Sequence, residues 1–599
     1  MKKSLIPVAA LGLLLAATGC KKDILDENPR SVLVPSFLST PQGVQSGLTG
    51  VYSGLRNITV TTVEAAYLTV QGTDEFMRGI SGNQGFEDYN PGLLNASASA
   101  TTNQWNIIYR YINDANAVIQ YAGTVQGLAP ATLTQIVSEA KILRAYYYFQ
   151  LVQYYGDVPL SLAFVDAPNK DVVRAPKADV YNAIIKDLSD ALVTGAIADR
   201  PAQPGRVTRA TALHLLAKVY LTRATSVTPR VADDYTNAAK YAEELIANRA
   251  RYGVDLETDA ANVFAEGNEN GKEVLMNVQY NTDPTFTGLS DNDGPGQNQS
   301  SFYFRGRYDF LPNMARSVIY GRPYARFIST PYLISNYILP TETGRQVGST
   351  DTRWSKWYTQ MWLVNTLTSS NGTGGRTNVT IGDTAALYLN RDLLPAERAR
   401  INSRPGGAYV VGTPANFTTQ FSPYINKYDD PTRSSPNRSS DRPLILLRFA
   451  ETYLIAAEAN MYLGNTGTAV SQLNAVRERA AAPGKKADMD ITAVQLATAT
   501  VNGHTGIDFI LDERARELAG EESRWAELVR TGKLLERVKA YVPAYVGVRT
   551  SPTGGTDTYG SDAAKNIQPF HTLRPIPQQE IDRTVGQPGG GIKQNSGYN

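Results

Sequence analysis

The chain has 599 residues, with 58 Lys and Arg against 56 Asp and Glu, so it is close to neutral and shows no broad electrostatic demand for nucleic acid. At 42% hydrophobic it carries enough apolar material for a large core or for several domains. A single cysteine, Cys20, cannot form an internal disulfide, and three histidines scattered at His214, His504 and His571 give no Cys/His metal cluster, so neither metal nor cofactor is expected.

The N-terminus explains the lone cysteine. Lys2 and Lys3 precede an apolar run from Leu5 to Ala17 that is too short to cross a bilayer as a helix and reads as a secretory signal over residues 1–19. Ala17, Thr18 and Gly19 lead into Cys20 in a pattern that resembles the lipobox of a bacterial lipoprotein, which implies cleavage before Cys20 and lipid on its sulfur. Residues 20–36 are then a polar, lipidated tether, and the charged "KKD" resembles the surface-export signal of Bacteroidetes lipoproteins.

From there the chain reads as mainly α. Thr40 and Pro41 form an N-cap and first helical residue, followed by Val44, Leu48, Val51 and Leu55 at helical spacing. A second stripe runs Trp105, Ile108, Ile112, Ala115, Ile119, Ala122, a third Leu133, Ile136, Ala140, Leu143, Tyr147, Leu151, and a fourth Ile184, Leu188, Ala191. The segments "ATALHLLAKVYLTRA" and "DYTNAAKYAEELIAN" make another pair, with Leu213, Leu216, Tyr220 and Ala224 facing Tyr235, Ala238, Ala242 and Leu245. The last pair lies in "RFAETYLIAAEANMYLGNTGTAVSQLNAVRERA", turning at Gly464 and Gly467, with Ala469, Leu473, Val476 and Ala480 on the returning helix. These four pairs resemble tetratricopeptide hairpins, at separations too irregular for a tandem array.

Two loop regions interrupt the helices. The larger, 281–442, is rich in Gly, Pro, Asn, Ser and Thr, yet "SFYFRGRYDF" and "DTRWSKWYTQMW" are too aromatic for a solvated linker. It separates an N-terminal helical region, 37–280, from a C-terminal one, 443–599, and reads as ordered loops over one face. The smaller, about 63–102, carries "QGTDEFMRG" and "NQGFEDYNPG".

Several phrases resemble the SusD/RagB family of Bacteroidetes outer-membrane nutrient-binding lipoproteins. They are "EAKILRAYYYFQLVQYYGDVPL", "APKADVYNAIIKDLSDAL", "GRVTRATALHLLAKVYL", "RPLILLRFAETYLIAAEA", "LNAVRERA", "LDERARELAGEESRWAELVRTGKL", "LRPIPQQEI" and "QNSGY", in that order over nearly all of the mature chain. The resemblance implies a SusD-like helical scaffold with a loop-rich ligand-binding part. It implies a lipoprotein of the outer membrane, facing outward, that binds oligosaccharide or polysaccharide without cleaving it and delivers it to a SusC-like TonB-dependent transporter. Peptide uptake of the RagB type is the second reading and a cell-surface glycoside hydrolase the third.

The chemistry-bearing residues fit binding better than catalysis. Glu513, Glu517 and Glu521 share one helix face, but interleaved arginines offer local ion pairs, so the set reads as scaffold packing. The sequence contains no G-x-S-x-G, H-E-x-x-H, G-x-x-x-x-G-K-[ST] or G-x-G-x-x-G. Asp291 and Asp293 echo a calcium loop, with glycine and the twelfth residue, Phe302, wrong for one. Sugar rings present C–H faces that stack on aromatic rings while polar groups take the hydroxyls. The expected ligand contacts are therefore Trp354, Trp357, Tyr303, Tyr308, Tyr324, Phe86 and Tyr89, with Asp74 accepting hydrogen bonds from hydroxyls.

Overall fold

The computed structural model describes residues 35–598 apart from 81, 227–228, 281–282, 284–296, 343, 345–346, 369–374, 405–406, 499–503 and 522–523. Cys20 with its signal and most of its tether, and Asp291 and Asp293, lie outside the described residues.

Helix α1 (Pro41–Ser53) starts where its signals place it. Thr40 Oγ1 accepts a hydrogen bond from the Gly43 N–H at 3.0 Å, and Pro41 sits where the missing N–H costs no intrahelical bond. Helices α2 (Ser99–Ala122), α3 (Pro130–Tyr155), α4 (Lys177–Ala191), α5 (Arg209–Thr225) and α6 (Asp234–Ala247) then stack so that each packs on the next in chain order, while α1 lies against α2 and α3. The stack continues into α7 (Phe449–Tyr462) and α8 (Thr466–Ala480), with α7 packed on both α5 and α6 despite the long stretch of chain between them. Small residues allow this close approach: Ala217, Ala224, Ala238, Ala242, Ala456 and Ala459 are all buried in the joint. Gly464 has φ of +80°, the left-handed turn that lets α7 end and α8 return, whereas Gly467 falls within the first turn of α8.

Helix α3 departs from the single-stripe expectation. From Ser138 to Tyr155 it is buried on nearly every side, because α1, α2 and α4 surround it. Its polar residues are paired accordingly: Arg144 reaches both carboxylate oxygens of Asp187 at 2.8 Å and Asn116 Oδ1 at 2.7 Å.

Strand pairing ties the loops to this frame. In chain order the strands before α7 are β1 (Phe76–Arg78), β2 (Val274–Val278), β3 (Phe327–Ser329), β4 (Tyr358–Thr359), β5 (Met361–Leu363), β6 (Thr384–Tyr388), β7 (Val410–Gly412), β8 (Tyr424–Ile425) and β9 (Leu444–Arg448). β2 and β9 pair antiparallel, which joins the chain just before the large insertion to the chain just after it. Inside the insertion β4 pairs with β8, and β5, β6 and β7 form one small sheet. β1 pairs with β3, which fastens the first loop region to the insertion.

After α8 the chain adds α9 (Gly506–Leu518), α10 (Arg524–Arg530) and α11 (Leu534–Tyr541). Here the expectation of local, exposed ion pairs is corrected. Glu513 and Glu517 are fully buried, and their partners come from distant segments. Arg353 Nη1 bonds Glu513 and Glu517 at 2.8 Å each, Arg448 reaches Glu517 at 2.5 Å and Glu521 at 2.6 Å, Arg477 reaches Glu513 at 2.5 Å, and Arg479 also pairs with Glu517. Only Arg516 pairs with its own helix, at 2.7 Å from Glu513. Four-residue spacing puts Glu513 and Glu517 on one face of α9, and that face points inward; Glu521, expected on the same face, lies past the end of the helix at Leu518. Arginines from the insertion, β9 and α8 converge on it, so the network clamps the insertion to the frame. The scaffold role stands, with different partners.

Candidate functional site

Most of the sequence-predicted contacts are in the interior, and this corrects the expectation for each of them. Asp74 is fully buried; Arg524 bonds it through Nε at 2.7 Å and Nη2 at 2.6 Å, and Arg537 Nε at 2.6 Å. Burial pushes its carboxyl up, but the two guanidiniums outweigh that and hold it at about 2. With its oxygens spent on arginine, Asp74 does not offer them to sugar hydroxyls. Trp357 donates Nε1 to the Ala260 carbonyl at 2.9 Å and faces Lys427 Nζ at 4.3 Å. Trp354 packs on Tyr358 at 4.7 Å. Tyr308 stacks on Trp362 at 4.8 Å and donates its hydroxyl to Gly321 O at 2.5 Å, Tyr303 donates to Gln299 Oε1 at 2.7 Å, and Tyr89 to Gly72 O at 2.6 Å. Phe86 lies against Tyr67 and beneath the Arg574 guanidinium. All of these rings are buried, so neither face is open to stack on a ligand. The reason is physical: the loops build a core of their own, and large aromatics fill it.

Tyr324 is the exception, half-buried at the surface where the two loop regions meet. The phrase Arg322-Pro323-Tyr324-Ala325-Arg326 lies along 302–305, with Tyr324 N–H donating to Phe302 O at 3.1 Å, Ala325 to Arg305 O at 2.8 Å and Arg326 to Tyr303 O at 2.8 Å. Arg322 lies over the Tyr324 ring at 4.7 Å and Arg326 at 5.1 Å. Beneath, Phe302 meets Tyr324 edge-on at 5.5 Å and Tyr303 stacks under it at 6.3 Å. Arg326 also donates to the Tyr67 hydroxyl at 3.0 Å, so the ring and its cations rest on a fixed base.

The facing wall comes from the loop after β1. Register pairing of Arg78 with Phe327 runs into a hydrogen bond from Gly79 N–H to Arg326 O at 2.9 Å. A side chain at Gly79 would put its Cβ 1.8 Å from Ala325 O, so the crossing requires glycine. Ile80 follows at once and is exposed. Backbone strain marks the shelf: Ala325 has φ of +47°, a conformation non-glycine residues seldom adopt and that concentrates at ligand-binding loops. Arg78 spans Asp88 at 3.3 Å and Glu87 at 3.6 Å, yet burial pushes the Glu87 carboxyl well above the usual carboxylate range. The half-buried ring edge and the guanidiniums over it form a mixed aromatic and polar surface at which a sugar can pack and hydrogen-bond. Sequence reading named Tyr324 but missed Arg322, Arg326 and Ile80; the left-handed backbone at Ala325 that helps bring them together has no signal in the sequence.

A model of the SusD family matches residues 272–598, and one described as starch-binding associating with outer membrane matches residues 23–221. SusD-like protein P2 of Formosa agariphila is 27% identical over 536 residues, which is 86% of this chain and 89% of that one. A SusD-like protein of Bacteroides ovatus is 27% identical over 288 residues, 47% of this chain and 50% of that one. Among solved structures, a SusD homolog from Bacteroides thetaiotaomicron superposes with a TM-score of 0.67 at 20% identity, covering 94% of this chain and 98% of that one. A laminarin binding SusD-like protein superposes with a TM-score of 0.62 at 21% identity, covering 94% and 100%. With one family model spanning more than half its length, this chain belongs to the SusD family.

Proposed function

We propose that this protein is a lipid-anchored, outward-facing component of the outer membrane that binds oligosaccharide or polysaccharide at the Tyr324 shelf and passes it uncleaved to a SusC-like TonB-dependent transporter. The observation that carries the binding role is Tyr324 itself, half-exposed between Arg322 and Arg326 on a buried aromatic base. Family membership and the description "associating with outer membrane" support the location. Capture without cleavage is supported by burial: Asp74, Glu513 and Glu517 are tied to arginine, and Glu75 and Glu87, whose carboxyls burial raises, lie inside the protein. Cys20 is the proposed lipid attachment site, which would hold the chain at the membrane through its tether.

Laminarin, named for a structural neighbour, is a first probe in a glycan array. Tyr324→Ala should weaken binding of the selected glycan roughly tenfold or more, about 1.4 kcal/mol, with an unchanged melting temperature. Binding of peptides in place of glycans, or release of shorter products from the bound glycan, would replace this reading. Cys20→Ala should leave affinity intact and release the protein from the membrane; retention after a high-salt wash would rule out the anchor.

A further inference from the structure

The helical frame holds a cavity of about 390 Å³ that belongs to none of the loop chemistry above. The end of α3, the start of α4, the end of α5, α10 and the C-terminal segment around Asn595 converge on it. Val152, Val529 and Leu573 give it an apolar floor, and Asp157, Arg174 and Lys177 a charged rim. The size falls within the range of roughly 300 to 1,000 Å³ of small-molecule sites, which combine such a floor with a few polar groups.

The rim carries more positive than negative charge, Arg174 and Lys177 against Asp157, whose carboxylate acts on Arg174 through space. Arg174 is fixed by four hydrogen bonds, and every acceptor is neutral: Asp157 O at 2.6 Å, Lys593 O at 2.9 Å, Tyr155 O at 3.2 Å and Asn595 Oδ1 at 2.6 Å. A guanidinium has five N–H donors, so one remains and the charge meets no carboxylate by hydrogen bond. Asp157 turns its Oδ1 to the backbone N–H of Lys177 at 2.8 Å. Among the described residues, Lys177 Nζ has no carboxylate within ion-pair distance. The other wall cation, Arg530, is committed to Glu458 at 2.6 Å and to Glu527. The N-terminal end of α4 adds its partial positive charge on the same side.

We infer that this cavity is a second binding site, for a small carboxylate of monosaccharide or amino-acid size, with Lys177 taking the carboxylate and the apolar floor taking the body. Carboxylate is the matching group because it accepts several donors at once and restores the missing negative charge. The site shares no residue with the Tyr324 shelf, so each can fail without the other.

The test titrates the full mature chain with D-glucuronate, L-glutamate and D-glucose, followed by saturation-transfer NMR of the small molecule. At least one acid should bind, at least tenfold tighter than glucose, with affinity falling as salt rises. Glucuronate alone would mark a sugar acid and glutamate alone an amino acid; either supports the site. Lys177→Gln should reduce the binding at least tenfold, Lys177→Arg should retain most of it, and Tyr324→Ala should leave it unchanged. Glucose binding as well as the acids, neither acid binding at about 10 mM, or Lys177→Gln behaving as wild type would overturn the assignment.

Discussion

Arginine serves two opposite purposes in this chain. In the frame, Arg353, Arg448, Arg477, Arg479 and Arg516 are buried with Glu513, Glu517 and Glu521, and carboxylate and guanidinium are matched inside the protein. At the shelf, Arg322 and Arg326 sit half-buried on a half-buried tyrosine, at the edge of the solvent. Charges taken out of water are retained only when partnered, so the first set holds segments together; the second set stays within reach of solvent beside a surface ring. Burial, more than residue type, decides which arginines are structural and which can recognise a ligand.

The largest test of that contrast is Glu517→Ala. The substitution leaves Arg353, Arg448 and Arg479 without a shared carboxylate in the interior, and loss of one partner from a buried pair costs about 3–5 kcal/mol. Thermal unfolding should shift down by several degrees or more, and glycan affinity measured on the folded fraction should stay. A variant as stable as wild type would mean that the network contributes no net clamping.

Acid should act on the frame next. Asp74 is held at about 2 against an ordinary 3.8, so its contribution is full above pH 3.8 and is lost as pH falls toward 2. That is roughly 2 kcal/mol, one to two pKa units at about 1.4 kcal/mol each. His571 points the same way: burial, with Arg574 nearby, lowers it from 6.5 to about 4, and its Nδ1 must stay unprotonated to accept the Gln568 N–H at 2.9 Å. Its contribution is full above pH 6.5 and is lost as pH falls through 4. Glu75 opposes them, because burial and then Asp74 outweigh Arg524 and raise it to about 7; its contribution is present below pH 4.5 and lost as pH rises through 7. Melting temperatures should therefore drop steeply between about pH 4 and pH 2, where Asp74 protonates, and vary little between about pH 4.5 and 7, where the His571 and Glu75 contributions oppose each other. A flat profile from pH 4 down to pH 2 would contradict the Asp74 pairing.

Trp357→Phe separates a buried ring from a ligand ring. It removes the Nε1 bond to Ala260 O and leaves a small void, for about 1–2 kcal/mol of destabilisation. Affinity should not change. If it falls as far as in Tyr324→Ala, the insertion aromatics reach ligand after all.

The helices were legible because their apolar residues recur at the helical period: the stripes of α1, α4 and α6 are buried as read, and that of α2 is too except for the half-buried Ile119. Loop burial was not. Trp354, Trp357, Tyr303 and Tyr308 sit in segments with no repeating pattern, and whether such a ring faces core or solvent depends on neighbours brought from elsewhere in the chain. The pairing of β1 with β3 has no local signature, yet it builds the shelf. For α9 the sequence supplied the shared face of Glu513 and Glu517 but not its direction, since the deciding arginines stand at 353, 448, 477 and 479.

The smallest expected effect completes the contrast between buried and exposed charge. Lys186 pairs with Asp190 at 3.0 Å one helical turn away on α4, the arrangement that four-residue spacing alone describes, and its side chain is 73% exposed. Water already solvates both groups, salt screens them, and holding the long lysine chain in place costs entropy. Asp190 also keeps Lys141 at 2.7 Å when Lys186 is removed. Lys186→Ala should therefore change stability by no more than about 0.5 kcal/mol, and less still in high salt. Chemical denaturation at low and high ionic strength checks this directly. A loss approaching that of Glu517→Ala would show that spacing on the helix, and not depletion of water around the pair, sets the strength of ion pairs in this frame.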